Sequence, residues 1–529
     1  MRYKYSISMI AIALVSMGVF TIPNAQSQTA TAAKTVVYNL YATDAFVKMA
    51  DETVVYNYGF VGGRSSGQNL LFQKSFSADG NSGGDNNNSF TNGFPTPSGG
   101  ILTANEFKLQ GNAQFPAPLI YATTSDVVQI NLKNLGTTNP GSPNDPHSIH
   151  LHGLDVNAAN DGVPETSIGA IPANLCSDGS TAPAGQNCAT PAPGAGNVIV
   201  YMFNQKNDGT YFYHCHQEAD IHVQMGMYGA LVMYNPTDAA AATGPGTGKG
   251  GTIGGWKYDK DYVLLESELD VRQHCSEQGT YLSSGLCSNP GFGYATLPGQ
   301  PDGWNPVDYH PQYWFLNGLS FPNTVHVGGG PVKTTWADWI AAHPGYDPLI
   351  TGSISTAHSG FGTTRGDKIL IRMINMGFET QPMHMHGYHG KVIGSDQRTW
   401  LFANIPLITP FGQGLEKQTL TIGSGESYEW LIDIGQQART STYPTGTQTR
   451  YDSNNAPRSN TSGGSVIPLN GDSSETLTYI GGPTVKGTVI GDPINSGSQW
   501  FPFHNHDDYK ATNNGVYPGG MFTMIVPLP

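Results

Sequence analysis

With 529 residues, 67 glycines, 36 prolines and only 12% charged residues, the chain has room for two large domains or three small ones and no heptad pattern of a helical protein. A formal charge of -14 makes it a poor partner for nucleic acid or anionic lipid. The composition points to a loop-rich, all-β protein.

Residues 1–27 read as a secretory signal, with Arg2 and Lys4, an apolar run from Ile7 to Phe20, and Ala25-Gln26-Ser27 as a small-residue cleavage site. The apolar run falls short of the roughly 18–20 residues of a spanning helix, and no later stretch could span a bilayer. An exported, soluble chain, periplasmic or extracellular and starting near Gln28, is expected. Losing two basic and no acidic residues would take the formal charge to about -16.

Residues 28–240 are the first predicted domain. Strand-like segments run over 36–54, 118–134, 148–154, 197–203, 209–216 and 228–234, with a Gly/Asn/Ser-rich loop at 62–100. Residues 241–256 read as a linker, and 257–529 as a second domain in which the features return in order. Residues 366–375 echo 125–134; His384-Met385-His386-Gly387 echoes His150-Leu151-His152-Gly153; Trp500–His506 echoes Tyr211–His216; Gly520–Val526 echoes Gly229–Val232. Such a duplication predicts two Greek-key β-sandwiches. A third sandwich between residues 258 and 360 is disfavoured, because that region supplies strands the second unit would otherwise lack. Residues 437–498 read as an inserted loop with room for one added hairpin.

Cys176 and Cys188 bracket one polar loop and Cys275 and Cys287 another, each pair twelve apart, as local disulfides would be in an oxidising compartment. Cys215 is the odd thiol. It sits in Tyr213-His214-Cys215-His216, where an extended backbone sends both imidazoles to one face and the thiol to the other. Cys215, His222 and Met227 offer the thiolate, imidazole and thioether of a blue copper site. His147 supplies the missing imidazole. The second repeat has Gln381 in the place of His147 and Asn505 in the place of Cys215, yet keeps its other histidines, so the two sets of residues serve different sites.

Those other histidines form four His-x-His pairs, His150/His152, His214/His216, His384/His386 and His504/His506, two per repeat in matching places. Eight imidazoles exceed the needs of one ion and imply a multinuclear cluster, with open positions for a small oxidant such as dioxygen.

These motifs resemble those of the multicopper oxidases, the laccase-like family of cupredoxin domains, over both halves of the mature chain. The resemblance implies two cupredoxin-like domains and four coppers per functional unit. His147, Cys215, His222 and Met227 would bind type 1 copper; His150 and His384 type 2; His152, His214, His216, His386, His504 and His506 the type 3 pair. It implies one-electron oxidation of a reductant at the first site and reduction of dioxygen to water at the cluster. Three-domain laccases carry His-Cys-His in the last domain, whereas here it lies in the first. This is similar to two-domain members that form homotrimers with each cluster between subunits. Five residues separate His216 from His222 where the family usually has three.

Asp161 resembles the family's proton-relay aspartate and Glu218 a glutamate that hydrogen-bonds a cluster histidine; Asp507 and Asp508 are weaker candidates. Met225 is assigned to packing, and His274, His310, His326, His343, His358 and His389, which lack paired partners, to structural or exposed positions. Copper nitrite reductase is an alternative, though it needs only three histidines at its catalytic copper. A non-catalytic copper carrier is another. With no Met-rich segment to suggest cuprous oxidation, phenols and aromatic amines lead over metal ions as reductants.

Overall fold

The computed structural model describes residues 34–51, 53–67, 93–246, 249–278, 307–321, 324, 350–353, 367–400, 415–433, 484–485, 488–489, 501–516 and 519–528. The predicted secretory signal lies outside them. Among the described residues no helix is long and apolar enough to cross a membrane.

The first half carries eight strands in two sheets. One sheet orders β2 (Val54–Arg64), β1 (Thr35–Lys48), β4 (Val127–Gly136) and β6 (Val198–Phe203); the other orders β3 (Ile120–Thr123), β8 (Tyr228–Tyr234), β7 (Gly209–His214) and β5 (His150–His152). After a hairpin, β9 (Gly251–Ile253) and β10 (Trp256–Tyr258), the plan recurs. Strands β11 (Lys260–Leu269), β12 (Tyr313–Leu316), β14 (Lys368–Asn375), β16 (Gly390–Ser395), β17 (Arg398–Thr399), β18 (Leu415–Lys417) and β20 (Ser427–Asp433) make one sheet. Strands β13 (Ile350–Ser353), β15 (Gln381–Met385), β19 (Thr419–Ile422), β23 (Phe501–Asn505) and β24 (Phe522–Leu528) make the other. Residues 484–485 and 488–489 form a separate small hairpin, β21–β22, inside the predicted insertion.

The duplication holds at the level of pairing. β1 runs parallel to β4, which runs antiparallel to β6; likewise β11 is parallel to β14, which is antiparallel to β20. In the facing sheets, β3–β8–β7–β5 matches β13–β24–β23–β15 in order and direction. Each pair of sheets is a cupredoxin-like Greek-key β-sandwich. Strands β11 and β12 lie in one sheet of the second sandwich and β13 in the other. The stretch read as a linker overlaps hairpin β9–β10, whose Ile253 and Tyr258 are buried.

Burial of alternate side chains in hydrophobic clusters explains why these segments are strands. Tyr38, Ile130, Leu151, Tyr211, Tyr213 and Leu231 fill the first sandwich, and Leu264, Ile371, Met383, Trp430, Phe503 and Ile525 the second. A third cluster, with Phe115, Phe212, Val232, Leu265, Phe315 and Leu431, lies between the sandwiches, where residues of opposite parity on β7, β8 and β11 meet. Burial of roughly 1.5–3 kcal/mol per large apolar side chain makes this junction a folding element rather than a loose contact. At its polar edge the buried Arg372 guanidinium meets Asp261 at 2.8 Å, and Thr210 N–H donates to Glu429 Oε1 at 3.0 Å.

Among the described residues two short α-helices break the all-β pattern: α1 (Ala219–His222), between His216 and Met227, and α2 (Val271–Gln278), which follows β11. The Cys176–Cys188 disulfide is formed. Its predicted counterpart falls partly on Cys287, outside the described residues.

Candidate metal centre

Strand parity sorts the histidines from the thiol. On β7 and its extension, Tyr211, Tyr213 and Cys215 enter the first sandwich core, while Phe212, His214 and His216 take the opposite face. On β5, Ile149 and Leu151 point into that core and His150 and His152 away from it. The register sets His150 opposite His214. The second sandwich repeats this with His384 opposite His504, and with Met383, Met385 and Phe503 inward. His150/His152 and His384/His386 are each followed by a glycine in the left-handed region, Gly153 (φ 82°) and Gly387 (φ 71°), which ends the strand where a side chain would be strained.

The result is two quartets of imidazoles. In the first, ring centroids of His150 lie 5.5, 5.0 and 5.2 Å from those of His152, His214 and His216. In the second, those of His384 lie 4.9, 5.6 and 5.0 Å from His386, His504 and His506. Among the described residues, ring contacts run within each quartet and none joins the two.

The partners of the ring nitrogens suit metal ligation. Backbone carbonyls stand at Nδ1 of His150 (Asp161 O, 2.9 Å), His214 (Cys215 O, 2.9 Å), His384 (Gln418 O, 2.9 Å) and His504 (Asn505 O, 2.7 Å). A carbonyl only accepts, so each ring carries its proton on Nδ1 and leaves the Nε2 lone pair free. His386 Nε2 and His504 Nε2 face each other at 3.0 Å, as ligands of one ion would. Burial pushes His214 down to about 3 and His152 to about 4, and lowers His384, His386 and His504, so these rings are neutral and available to a cation near pH 7.

The other face of the same strand builds a different site. Cys215, wholly buried, has its Sγ 3.8 Å from His147 Nδ1 and 3.5 Å from His222 Nδ1, and the two rings lie 4.6 Å apart. The three donor atoms all lie within 4.8 Å of one another. Met227 shares the core with Cys215, and its backbone closes the loop: Cys215 N–H donates to Met227 O and Met227 N–H to His222 O. The one-turn helix α1 takes up the two extra residues between His216 and His222. Ser148 N–H donates to Cys215 Sγ at 3.5 Å. Burial lowers His147 well below the usual imidazole range, with His222 adding to it. For His222 burial acts the same way, but Asp145 and Cys215 outweigh it and hold the ring up at about 10. A cysteine sulfur, two imidazoles converging through Nδ1 and a buried thioether fit copper, and the unpartnered buried nitrogens His152 Nδ1 and His222 Nε2 belong to rings of these sites.

Residues 86–237 match the family model described as multicopper oxidase. The matched stretch holds His147, Cys215, His222 and Met227 and the first imidazole quartet, so it is this part of the chain that is similar to multicopper oxidases. The chain is 25% identical over 321 residues to multicopper oxidase MmcO of Mycobacterium tuberculosis, covering 60% of this chain and 46% of that protein. It is 31% identical over 122 residues to a copper resistance protein A homolog of Pseudomonas syringae, covering 23% and 15%. The chain thus spans less than half the length of these curated relatives. Among solved structures, blue copper oxidase from Nitrosomonas europaea aligns over 93% of this chain and 85% of its own, with TM-score 0.44 and 17% identity.

The two candidate carboxylates land in different places. Asp161 sits against His150 Nδ1, its Oδ1 at 3.1 Å and its carbonyl at 2.9 Å. Gly162 makes this possible: in the left-handed region at φ 75°, it passes so near the His150 strand that a Cβ would lie 2.1 Å from Ile149 O. Glu218 instead lies on the blue side. It is exposed, and with Asp145 and His222 it forms a group whose ligand atoms lie within 4.8 Å. Asp145 and Glu277 were not singled out from sequence. Asp145 Oδ2 is 3.9 Å from His222 Nε2, and Glu277 of α2 accepts from Tyr58 OH, whose ring meets His222 edge-on. The one available signal was the position of Asp145, two residues before His147. His310 is exposed, and His274 is buried between carbonyls of Tyr56 and Gln224, a structural place. His326, His343 and His358 lie outside the described residues.

Proposed function

We propose that the chain is an exported oxidase that removes single electrons from a reductant at a type 1 copper held by His147, Cys215, His222 and Met227, and reduces dioxygen to water at a trinuclear cluster of one type 2 and two type 3 coppers. The reading rests on one observation above all. A single strand presents Cys215 to one donor set and His214 and His216 to another, so two sites share a backbone connection of one residue. Copper bound there would supply one-electron redox chemistry at the first site and open positions for dioxygen at the second.

The protein's own residues account for the rest. Burial holds His152, His214, His384, His386 and His504 neutral, and carbonyls at Nδ1 of His150, His214, His384 and His504 leave Nε2 free. Asp161, against His150, would hold a proton for a reaction that consumes four. Asp145 and Glu218 would receive the reductant beside His222 Nε2, favouring donors that are cations or that release a proton on oxidation. Phenols and aromatic amines meet the second condition and divalent metal ions the first.

Because ring contacts join the histidines within each quartet and, among the described residues, none joins the two, the cluster would form between the first sandwich of one copy and the second of another. A closed ring of such head-to-tail contacts, with a homotrimer as the proposed state, gives every cluster both halves. The test is oxygen uptake by copper-loaded protein with phenols, Mn(II), Fe(II) and Cu(I) as donors, with copper counted per chain and mass measured by light scattering. Four coppers per chain, a blue band and oxygen uptake are expected of a trimer. Blue protein that takes up no oxygen with any donor would turn the reading toward an electron carrier.

A further inference from the structure

The second sandwich has kept the shape of a blue site while replacing its ligands. Gln381 stands where His147 stands, three residues before a His-x-His pair, and Asn505 where Cys215 stands, between two quartet histidines. The methionine remains: Asn505 N–H donates to Met521 O at 3.0 Å, as Cys215 N–H does to Met227 O at 2.9 Å. In place of a thiol near an imidazole, Asn505 Nδ2 donates to Gln381 Oε1 at 2.7 Å and lies 3.4 Å from Met521 Sδ. Both amides are fully buried.

This pocket is wired outward. Gln381 Nε2 donates to Glu268 Oε2 at 2.8 Å. The same carboxylate takes Tyr309 OH at 3.0 Å, Glu379 N–H at 3.1 Å and Phe378 N–H on its other oxygen. Tyr309 OH in turn accepts from Gln224 Nε2 at 2.8 Å, and Gln224 Nε2 also reaches the backbone carbonyl of Glu268 at 3.0 Å. Gln224 lies inside the loop between His222 and Met227. A chain of hydrogen bonds, buried except at the half-buried Tyr309, therefore runs from the strand carrying His504 and His506, through Asn505, Gln381, Glu268, Tyr309 and Gln224, to the loop carrying His222 and Met227. Its polarity is set at one point. Glu268 accepts four bonds and donates none, so Gln381 must turn its NH2 toward it and its oxygen toward Asn505. Gly377 lets the loop close on this carboxylate, since a Cβ there would lie 1.9 Å from Glu268 Oε2.

We infer that Glu268 is a positioning residue that fixes, through two separate limbs of hydrogen bonds, both the blue-site loop of the first sandwich and the quartet strand of the second. The inference rests on the copper reading of these two sites. An amide at position 268 would bring its NH2 against donors already present, forcing Gln381 or Tyr309 to reorient.

The test compares Glu268→Gln, Tyr309→Phe and Gln381→Leu in copper-loaded full-length protein, reading the blue-copper reduction potential, the electron paramagnetic resonance spectra of both copper environments and the melting temperature. Tyr309→Phe should shift the potential and hyperfine splitting of the blue site and leave the quartet spectrum unchanged. Gln381→Leu should do the reverse, and Glu268→Gln should move both. Tyr309→Phe removes a single oxygen, so the blue limb stays testable if Glu268→Gln does not fold. Variants that lower the melting temperature yet keep wild-type potentials and spectra would reduce Glu268 to a stability residue and overturn the inference, while leaving the copper reading intact. Wild-type protein without a blue band would sink both.

Discussion

Two inactive chains should rescue each other. Let one variant carry His150→Ala and His152→Ala, which destroy the quartet of the first sandwich, and let another carry His504→Ala and His506→Ala, which destroy that of the second. Neither can build a cluster alone. If each cluster joins the first sandwich of one copy to the second sandwich of the next, an intact cluster needs the second variant on one side of an interface and the first variant on the other. With random assembly from equal amounts, about one half times one half, or about a quarter, of the interfaces meet that condition. The intact interface draws its first sandwich from a chain whose His147, Cys215, His222 and Met227 are untouched, so it also has its electron entry. Co-expression of the two variants under separate affinity tags, purification through both tags and oxygen uptake per chain form the assay. Because purification through both tags discards homogeneous trimers, uptake should rise to about one third of wild type there: each mixed three-membered ring contains one interface of the required order among its three. Uptake no higher than that of either parent, from material shown by mass to be mixed, would refute a cluster between copies.

Cys215→Ser should abolish the blue band and oxidation of organic donors while the quartet coppers remain, measured by absorption and metal content; phenol oxidation at the wild-type rate would remove Cys215 from the electron path. At the junction, Arg372→Met strands Asp261, and loss of one partner of a buried pair costs about 3–5 kcal/mol. Denaturant unfolding should show that loss, with the double change to Arg372→Met and Asp261→Asn recovering part of it. His274 gives a pH dependence whose sign follows from its surroundings. Burial holds its ring down at about 4, against the pull of the Tyr56 and Gln224 carbonyls and of Asp270, whereas the unfolded chain titrates near 6.5. The unfolded state binds the proton first, so this contribution is whole above pH 6.5 and declines as pH falls toward 4, by about 3 kcal/mol at most. His274→Gln should flatten that slope in unfolding curves recorded between pH 7 and 4.

Sequence pattern went far where the physics is periodic. A period of two assigns His150, His152, His214 and His216 to one face and Cys215 to the other without reference to anything distant, and the structure has that parity on all four strands. Repetition carried the rest of the duplication, down to Gln381 and Asn505 in the copies of His147 and Cys215. What could not be read depended on chain segments far apart in sequence. Glu218 was placed with the cluster because it follows His216 by two residues, but a left-handed backbone at Glu218 (φ 43°) starts helix α1 and carries its side chain to the blue side. Asp145 gained meaning once the loop carrying His222 had folded back on it, and Glu277 only once α2 of the second half had packed against Tyr58 beside His222.

That packing gives the duplication a direction. Both sandwiches hold a quartet, and both hold a pocket behind it built on the same strand, yet only the first pocket has a thiol and two imidazoles. Had the second pocket simply lost its metal, buried Asn505 and Gln381 would stand as unpaired amides, each costing about 1–3 kcal/mol. They do not. Gln381 pairs with Asn505 on one side and with Glu268 on the other, and Asp507 N–H donates to Asn505 Oδ1 at 2.9 Å. The second pocket is thus a satisfied polar network that reaches the loop from His222 to Met227 through Tyr309 and Gln224, and restoring Cys and His at 505 and 381 would sever it. The asymmetry between the two halves is therefore held in place by the contacts between them.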